Sequence, residues 1–316
     1  MLLTTPRSPD RSLKTSSSDH AFALAVTLTL SLLIAIGVPL AAVLPPKYVQ
    51  ALPVSILVPL YIYPDPGSWD WLYNSAVKYP DLNFTAIVNP CNGPCNPPYP
   101  GGLQIAAIQQ LNKFPNIQTV GYIDVNYTNT DNGTVNEQIK TYAGWTNTSG
   151  LAIHGIYFDR TPVREAGDEK DRGGNGKEGG EAGRVARYMR NISATVKHVE
   201  GFVEPTILIH NPGMIPDVNL TKQYESYVDI TVVFEGAWQD LPTAPETKKR
   251  VAVLGGSREQ FAFMIHDTPM EIGRTGIRKV INNVRKNAQY VFVTNLGDKW
   301  EEGVAGIWWW VLAMTW

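Results

Sequence analysis

Histidine and cysteine are scarce in this chain, which has 5 His and 2 Cys among its 316 residues. A closed structural zinc site needs about four nitrogen or sulfur ligands, and no such cluster surrounds Cys91 and Cys95. The two cysteines are four positions apart, so a local disulfide and a pair of free thiols both remain open, and we favour the disulfide. The sequence predicts no metal site and no cofactor.

A strong excess of charge is also missing, because 27 Lys and Arg stand against 29 Asp and Glu for a net charge of -2. Nucleic acids and anionic membrane surfaces favour strongly basic partners, so we do not expect nucleic acid as a partner. No Gly-rich phosphate turn follows the first predicted strand, which argues against a dinucleotide-binding open sheet. A nucleophilic-serine motif is absent as well. The sequence does not indicate an oligomeric state.

One long stretch without charge lies near the N-terminus, at residues 21–44, after Arg7, Arg11 and Lys14. About 20 apolar residues can span a bilayer as a helix, and basic residues before it favour a cytoplasmic N-terminus. A cleaved signal peptide is the alternative, with Ala41 and Ala42 near a cleavage site. We predict a cytoplasmic tail at 1–20, a transmembrane signal anchor at 21–44 and a linker at 45–53. The protein would then be a single-pass type II membrane protein, with its remainder in the secretory lumen or outside the cell.

Asn-x-Ser/Thr sequons support delivery to that pathway, since they are acceptors for N-glycosylation on surface loops of secreted proteins. They predict glycosylation at six positions, namely Asn83, Asn126, Asn132, Asn147, Asn191 and Asn219.

From residue 54 onward, short apolar runs alternate with longer helical patterns. The runs are mostly continuous rather than alternating, which is typical of parallel strands that are buried on both faces. The predicted strands are Val54–Tyr63, Phe84–Asn89, Thr119–Val125, Ile153–Asp159, Thr206–His210, Ile230–Glu235, Phe261–His266 and Tyr290–Thr294. Eight such units predict an α/β fold, a (β/α)8 TIM barrel over residues 54–316. An open doubly wound sheet is the alternative.

Polar residues follow nearly every predicted strand. In a (β/α)8 barrel the functional groups lie at the carboxyl ends of the strands, so these residues should line one pocket. As substrate-binding residues we predict the strand-end side chains and one tryptophan that follows the sixth strand: Tyr61, Tyr63, Asn89, Asn211, Trp238, His266 and Asn295.

Two carboxylates, Asp159 and Glu235, each come directly after a phenylalanine that we expect to be buried. A carboxylate in that position is costly unless it is hydrogen-bonded or functional. Two carboxylates that face one pocket can act as nucleophile or base and as proton donor, which is what cleavage of a glycosidic bond requires. Asp124 is a further candidate for a supporting role. The alternative is that Asp159 and Glu235 cap helices or pair with cations such as Arg160.

Several motifs resemble those of the spherulin-4-like proteins. They are Val-Pro-Leu-Tyr-Ile-Tyr-Pro (58–64) with Trp69, Val-Asn-Pro (88–90) with Gly93-Pro94, Gly-Tyr-Ile (121–123), Tyr-Ala-Gly-Trp (142–145), Gly-Ile-Tyr-Phe-Asp (155–159), Asn-Pro-Gly (211–213) and Val-Val-Phe-Glu (232–235). The resemblance spans roughly residues 54–300 in the same order.

That resemblance implies a function. The family includes membrane-tethered fungal enzymes of glycoside hydrolase family 135, which cleave galactosaminogalactan, an α-1,4-linked polymer of galactose and N-acetylgalactosamine. An Asp-Glu pair follows their fourth strand and a Glu ends their sixth, so Asp159 and Glu235 match while Arg160 replaces a Glu. The expected function is hydrolysis of such a polysaccharide in cell-wall or matrix synthesis. A non-catalytic carbohydrate-binding or structural cell-surface barrel is the alternative, because of Arg160.

Overall fold

The computed structural model describes residues 52–95, 98–165 and 183–297. The chain divides into two units, 1–51 and 52–316, and all described residues belong to the second. The predicted cytoplasmic tail, the anchor at 21–44 and the last part of the predicted barrel domain lie outside these residues.

Eight parallel strands form a closed barrel in chain order, with the last strand pairing with the first. The strands are β1 (Ser55–Leu60), β2 (Asn83–Val88), β3 (Ile117–Asp124), β4 (Gly155–Asp159), β5 (Ile207–His210), β6 (Ile230–Ala237), β7 (Phe261–His266) and β8 (Tyr290–Val293). The predicted barrel is confirmed, because each predicted strand contains or overlaps an observed one. Both faces of these strands are buried, and this explains why their sequences are continuously apolar.

Seven α-helices lie between the strands in the described part of the chain. They are α1 (Asp70–Lys78), α2 (Gly102–Leu111), α3 (Asn132–Gly144), α4 (Arg184–His198), α5 (Val218–Thr221), α6 (Ala244–Val251) and α7 (Gly273–Val284). Side-chain caps fix where some of them begin. Asp131 accepts the backbone N–H groups of Gly133 and Thr134 at the start of α3, at 2.8 and 3.2 Å. Glu165 accepts those of Val185 and Ala186 at the start of α4. Each cap satisfies amide groups that have no partner within the helix.

The strand pairing is uneven around the barrel. β5 meets β6 through two residue pairs, Ile209–Ile230 and His210–Thr231, and β8 meets β1 through two pairs as well. The other neighbouring strands share four or more pairs. Gly155 begins β4 where no other residue fits, because a Cβ there would overlap the carbonyl oxygen of Ile207 and its φ is +151°. The barrel is therefore continuous but has two narrow seams.

The prediction of a single-pass membrane protein is corrected. No helix within residues 52–95, 98–165 and 183–297 is long and apolar enough to cross a membrane. That prediction rested on a run of uncharged residues in the sequence, and residues 21–44 are not among those described.

Candidate active site

The carboxyl ends of β4 to β6 bring three predicted residues together. Asp159 ends β4, Asn211 follows β5, and Glu235 lies near the end of β6. In-register pairing places Asp124 beside Asp159 on neighbouring strands. Side chains alternate between the two faces of a strand, so residues two positions apart on β4 share the inner face of the barrel. Tyr157 lies below Asp159 in this way and donates a hydrogen bond to the sulfur of Met264 across the barrel, at 3.7 Å.

Both carboxylate oxygens of Asp159 accept hydrogen bonds. The hydroxyl of Tyr122 donates to Oδ2 at 2.7 Å, and the side-chain amide of Asn211 donates to Oδ1 at 2.8 Å. Burial raises the pKa of Asp159 above its ordinary value, while these two hydrogen bonds and one from the backbone of Arg160 act in the opposite direction. The charge of Asp124 also raises the pKa of Asp159. The result is a fixed carboxylate that holds a proton more readily than a carboxylate in water.

The amide nitrogen of Asn211 also donates to Glu235, whose Oε2 lies 2.6 Å away. Because one nitrogen lies 2.8 Å from Asp159 Oδ1 and 2.6 Å from Glu235 Oε2, these two oxygens are at most 5.4 Å apart. An N–H donor shared by two carboxylates offsets part of the repulsion between them. Asn211, predicted as a substrate-binding residue, thus holds the two predicted catalytic carboxylates together.

Two local features of the backbone direct Glu235 into this position. The register of β6 against β7 shifts between Val232 and Phe234, and such a bulge re-aims the side chains that follow it. The Asn-Pro-Gly turn then fixes the backbone, since the N–H of Glu235 donates to the carbonyl of Gly213 at 2.8 Å. Gly213 itself has a φ of +68°, which favours glycine, and its N–H donates to Oδ1 of Asn211 at 3.0 Å.

Arg160 pairs with Asp124 and not with the two bridged carboxylates. Its Nε donates to Asp124 Oδ1 at 2.8 Å, and its Nη2 contacts Oδ2, so the pair is bidentate. Asp124 also accepts the backbone N–H of Asn126 at 2.8 Å. Asp124 is therefore occupied by local partners, and the arginine leaves the space between Asp159 and Glu235 to Asn211.

The family model described as spherulation-specific family 4 (Spherulin4) matches residues 55–314. This chain belongs to the spherulin-4 family. It is 30% identical to Aspergillus clavatus Sph3, whose crystal structure is in complex with GalNAc, with a TM-score of 0.70. That match covers 84% of this chain and 98% of the Sph3 chain.

Spherulin-4 of Physarum polycephalum is 26% identical to this chain over 226 residues, which is 68% of this chain. The match covers 56% of that protein, so this spherulin-4 family member spans about half the length of the curated relative.

Around the carboxylate pair of this spherulin-4 family member, the remaining predicted residues have different surroundings. The ring of Tyr61 meets that of Tyr122 edge-on, with centroids 5.3 Å apart. Tyr61, Tyr63 and Asn89 line a small cavity of about 70 Å³. Nδ1 of His266 lies 3.0 Å from a carboxylate oxygen of Asp267. Tyr61 thus contacts Tyr122, which binds Asp159. The role of Tyr61, Tyr63, Asn89 and His266 as sugar ligands stays a prediction.

Other predicted side chains bind locally. Asn89 accepts the N–H of Gly93 at 3.1 Å, and the amide of Asn295 contacts the sulfur of Met270 at 3.0 Å. Trp238 is half-buried in the 3₁₀ turn after β6. These contacts show that the side chains of Asn89 and Asn295 each bind a loop residue.

The disulfide and the sequons lie outside the carboxylate cluster. Cys91 and Cys95 form a disulfide in the loop after β2. Four sequon asparagines are exposed and two, Asn126 and Asn132, are half-buried; the exposed ones are Asn83, Asn147, Asn191 and Asn219. In the described part of the chain, no group of three or more His, Cys, Asp or Glu side chains could hold a metal ion.

Sequence reasoning missed Tyr122 as a site residue. It lies two positions before Asp124 on β3, so it shares the inner face, and it pairs in register with Tyr157. The period-two rule applied to β3 could have found it. The rule could not have shown which carboxylate its hydroxyl contacts.

Proposed function

We propose that this protein is a retaining glycoside hydrolase that uses Asp159 and Glu235 to cleave an α-1,4-linked polysaccharide containing galactosamine or N-acetylgalactosamine. The observation that carries the proposal is the Asn211 amide, which limits the separation of the facing carboxylate oxygens to 5.4 Å. Retaining glycosidases hold their carboxyl groups about 5–5.5 Å apart, and inverting ones about 6.5–9.5 Å. The similarity to Sph3, which was crystallised with GalNAc, supports the class of sugar.

The hydrogen bonds suggest which carboxylate does what. Asp159 accepts donors on both oxygens, which fixes its orientation and favours its ionised form against the effect of burial, and this suits a nucleophile. Glu235 would protonate the glycosidic oxygen while Asp159 attacks the anomeric carbon, and the leaving chain departs with that proton. Glu235 would then take a proton from water as the water attacks the same carbon and releases Asp159. Two substitutions on one carbon leave its configuration unchanged.

Arg160 supports a second candidate, a carbohydrate-binding barrel without catalysis, because the resemblance places a Glu at this position. The pairing of Arg160 with Asp124 weighs against that candidate, since it keeps the guanidinium on Asp124 while Glu235 supplies a second carboxylate beside Asp159. In our proposal Arg160 is tolerated and Asp124 supports the site by holding it.

The test is to incubate the purified protein with galactosaminogalactan and to follow new reducing ends by proton NMR. We expect oligosaccharides to be released first as the α-anomer. Early release of the β-anomer would contradict the retaining geometry. Binding of the polymer without any release would overturn hydrolysis and favour the carbohydrate-binding barrel.

Tyr122→Phe should lower kcat by about 10- to 100-fold and shift the acidic limb of the pH profile. A nucleophile must be ionised, so kcat/KM falls as the pH drops through the raised pKa of Asp159. The Tyr122 hydroxyl lowers that pKa, and its removal should therefore move the acidic limb to higher pH. The measurement is kcat/KM against pH for both proteins.

Tyr79→Phe serves as the control, because Tyr79 follows α1 and precedes β2. It therefore lies at the end of the barrel opposite the carboxyl ends of the strands. An unchanged acidic limb in Tyr122→Phe would show that Asp159 is not the group whose ionisation controls the rate.

A further inference from the structure

The turn that follows β3 has an uncommon backbone. Asn126, Tyr127 and Thr128 have φ values of 45°, 54° and 73°, so three consecutive residues other than glycine are left-handed. L-residues pay a steric cost in this region, and a β-branched threonine pays more than asparagine. Such a backbone persists where the surroundings determine it, and it is found most often where a side chain must be held for a function.

Hydrogen bonds hold this turn at each of its three residues. Asn126 N–H donates to Asp124 Oδ1 at 2.8 Å and Tyr127 N–H to the carbonyl of Arg160 at 2.8 Å. Thr128 N–H donates to the carbonyl of Val125 at 2.9 Å, and its hydroxyl oxygen accepts from Arg184 at 3.3 Å. Two of these contacts tie the turn to the Asp124–Arg160 ion pair.

The turn holds an exposed aromatic ring beside the Arg160 guanidinium. Tyr127 is 54% exposed, and the guanidinium carbon of Arg160 lies 6.0 Å from its ring centroid. Arg160 directly follows Asp159 in the chain. A large apolar ring held in water at a cost in backbone strain is not explained by packing within the barrel.

The guanidinium supplies polar groups next to this ring. Arginine has five N–H donors, and two of the donors on Arg160 are directed at Asp124. The remaining donors lie outside that pair, on a side chain that is 44% exposed. Because Arg160 is already paired with Asp124, its remaining donors suit a neutral acceptor such as a hydroxyl or an acetamido carbonyl oxygen.

We propose that the Tyr127 ring and the Arg160 guanidinium form a second sugar-binding subsite, which holds a non-reacting unit of the polysaccharide next to the Asp159–Glu235 pair. The ring packs against the apolar face of the pyranose, and the guanidinium donates to its oxygens. The proposal rests on the proposed function for its ligand, an oligosaccharide longer than the unit that is cleaved. It assigns a role to Tyr127, which the catalytic steps do not use.

The test is calorimetric titration of the full chain with N-acetylgalactosamine and with its α-1,4-linked tetrasaccharide, in a Glu235→Gln background that prevents turnover. Tyr127→Asn removes the ring and accepts a left-handed backbone, so the fold should be kept. We expect its Kd for the tetrasaccharide to rise on the order of tenfold and its Kd for the monosaccharide to stay the same. Tyr127→Trp keeps an aromatic face and should bind the tetrasaccharide as the parent does.

Equal losses for both sugars, or no loss for the tetrasaccharide, would overturn the subsite, as would a parent that binds the two sugars equally well. The two proposals can fail separately. If the active parent does not release oligosaccharides but the ring still matters for the longer sugar alone, hydrolysis falls and the subsite stands. If the parent cleaves the polymer and Tyr127→Asn has an unchanged KM and tetrasaccharide affinity, only the subsite falls.

Discussion

Asp159→Asn and Glu235→Gln should each reduce hydrolysis of the polysaccharide by about 10³-fold or more. A nucleophile and a general acid act in the same step, so loss of either removes most of the catalytic advantage, and the double variant should be little worse than the single ones. The measurement is the initial rate of reducing-end formation for the four proteins. Asp81→Asn is a matched control, because Asp81 is exposed just before β2, at the opposite end of the barrel from the carboxylates.

Asp159→Asn should also raise the melting temperature at neutral pH. A carboxyl whose pKa is higher in the folded than in the unfolded chain destabilises the fold when it ionises. This cost is absent below the unfolded pKa of about 3.9 and complete above the folded pKa. Asparagine does not ionise, and it can accept from Asn211 and donate to the Tyr122 oxygen, so its gain over the parent should shrink as the pH falls towards about 3.

A lower melting temperature of Asp159→Asn than of the parent at neutral pH would show that the surroundings stabilise the charge on Asp159 rather than destabilise it. Retention of more than about a tenth of the parent's rate by either carboxylate variant would exclude that residue as nucleophile or acid.

Asn211→Leu should reduce kcat by about 10²- to 10³-fold and destabilise the protein by about 1–3 kcal/mol. Leucine fills a similar volume but donates no hydrogen bond, so Asp159 and Glu235 lose the amide that both accept. Two carboxylates without the donor repel each other, and one of them should take up a proton. Because the hydrogen bond from Asn211 lowers the pKa of Asp159, the acidic limb of the pH profile should also move to higher pH, in addition to the fall in kcat.

Asn211→Asp gives a sharper form of the same test, because it replaces the shared donor by a third carboxylate and should be at least as damaging. Asn282→Leu on α7 is the control for loss of an amide at an exposed position. If Asn211→Leu changed KM alone and left kcat and the pH profile intact, Asn211 would be a sugar ligand, as the sequence predicts, and not a bridge.

The strand pattern could be predicted because it depends on local composition. Continuous apolar runs mark β1 to β8, and the barrel rule then places Asp159, Asn211 and Glu235 at one end. The contacts between them could not be predicted, since they depend on a bulge in β6 and on a turn that a glycine at positive φ permits. Those features involve residues distant in sequence, and nothing in the composition of the strands determines them.

Arg160 shows the same limit more clearly. From the sequence it could pair with Asp159, its neighbour, or with a carboxylate on another strand. The strand register selects Asp124 as the partner of Arg160, because Asp124 on β3 lies beside Asp159 on β4. The backbone of Arg160 has a φ of 51°, and its side chain reaches Asp124. We propose that Asp124 plays the supporting role that the sequence predicts by holding this arginine.

The two narrow seams, between β5 and β6 and between β8 and β1, are the places where the barrel should open most easily under load. They divide the wall into one arc of five strands, β1 to β5, and another of three, β6 to β8. Asp159 belongs to the larger arc and Glu235 to the smaller one. Asn211 donates hydrogen bonds to both carboxylates across the seam between β5 and β6. Any load that spreads this seam lengthens the gap between the two carboxylates. The amide of Asn211 connects the two sides of this seam, so the geometry of the catalytic carboxylates depends on how closely β5 and β6 are paired.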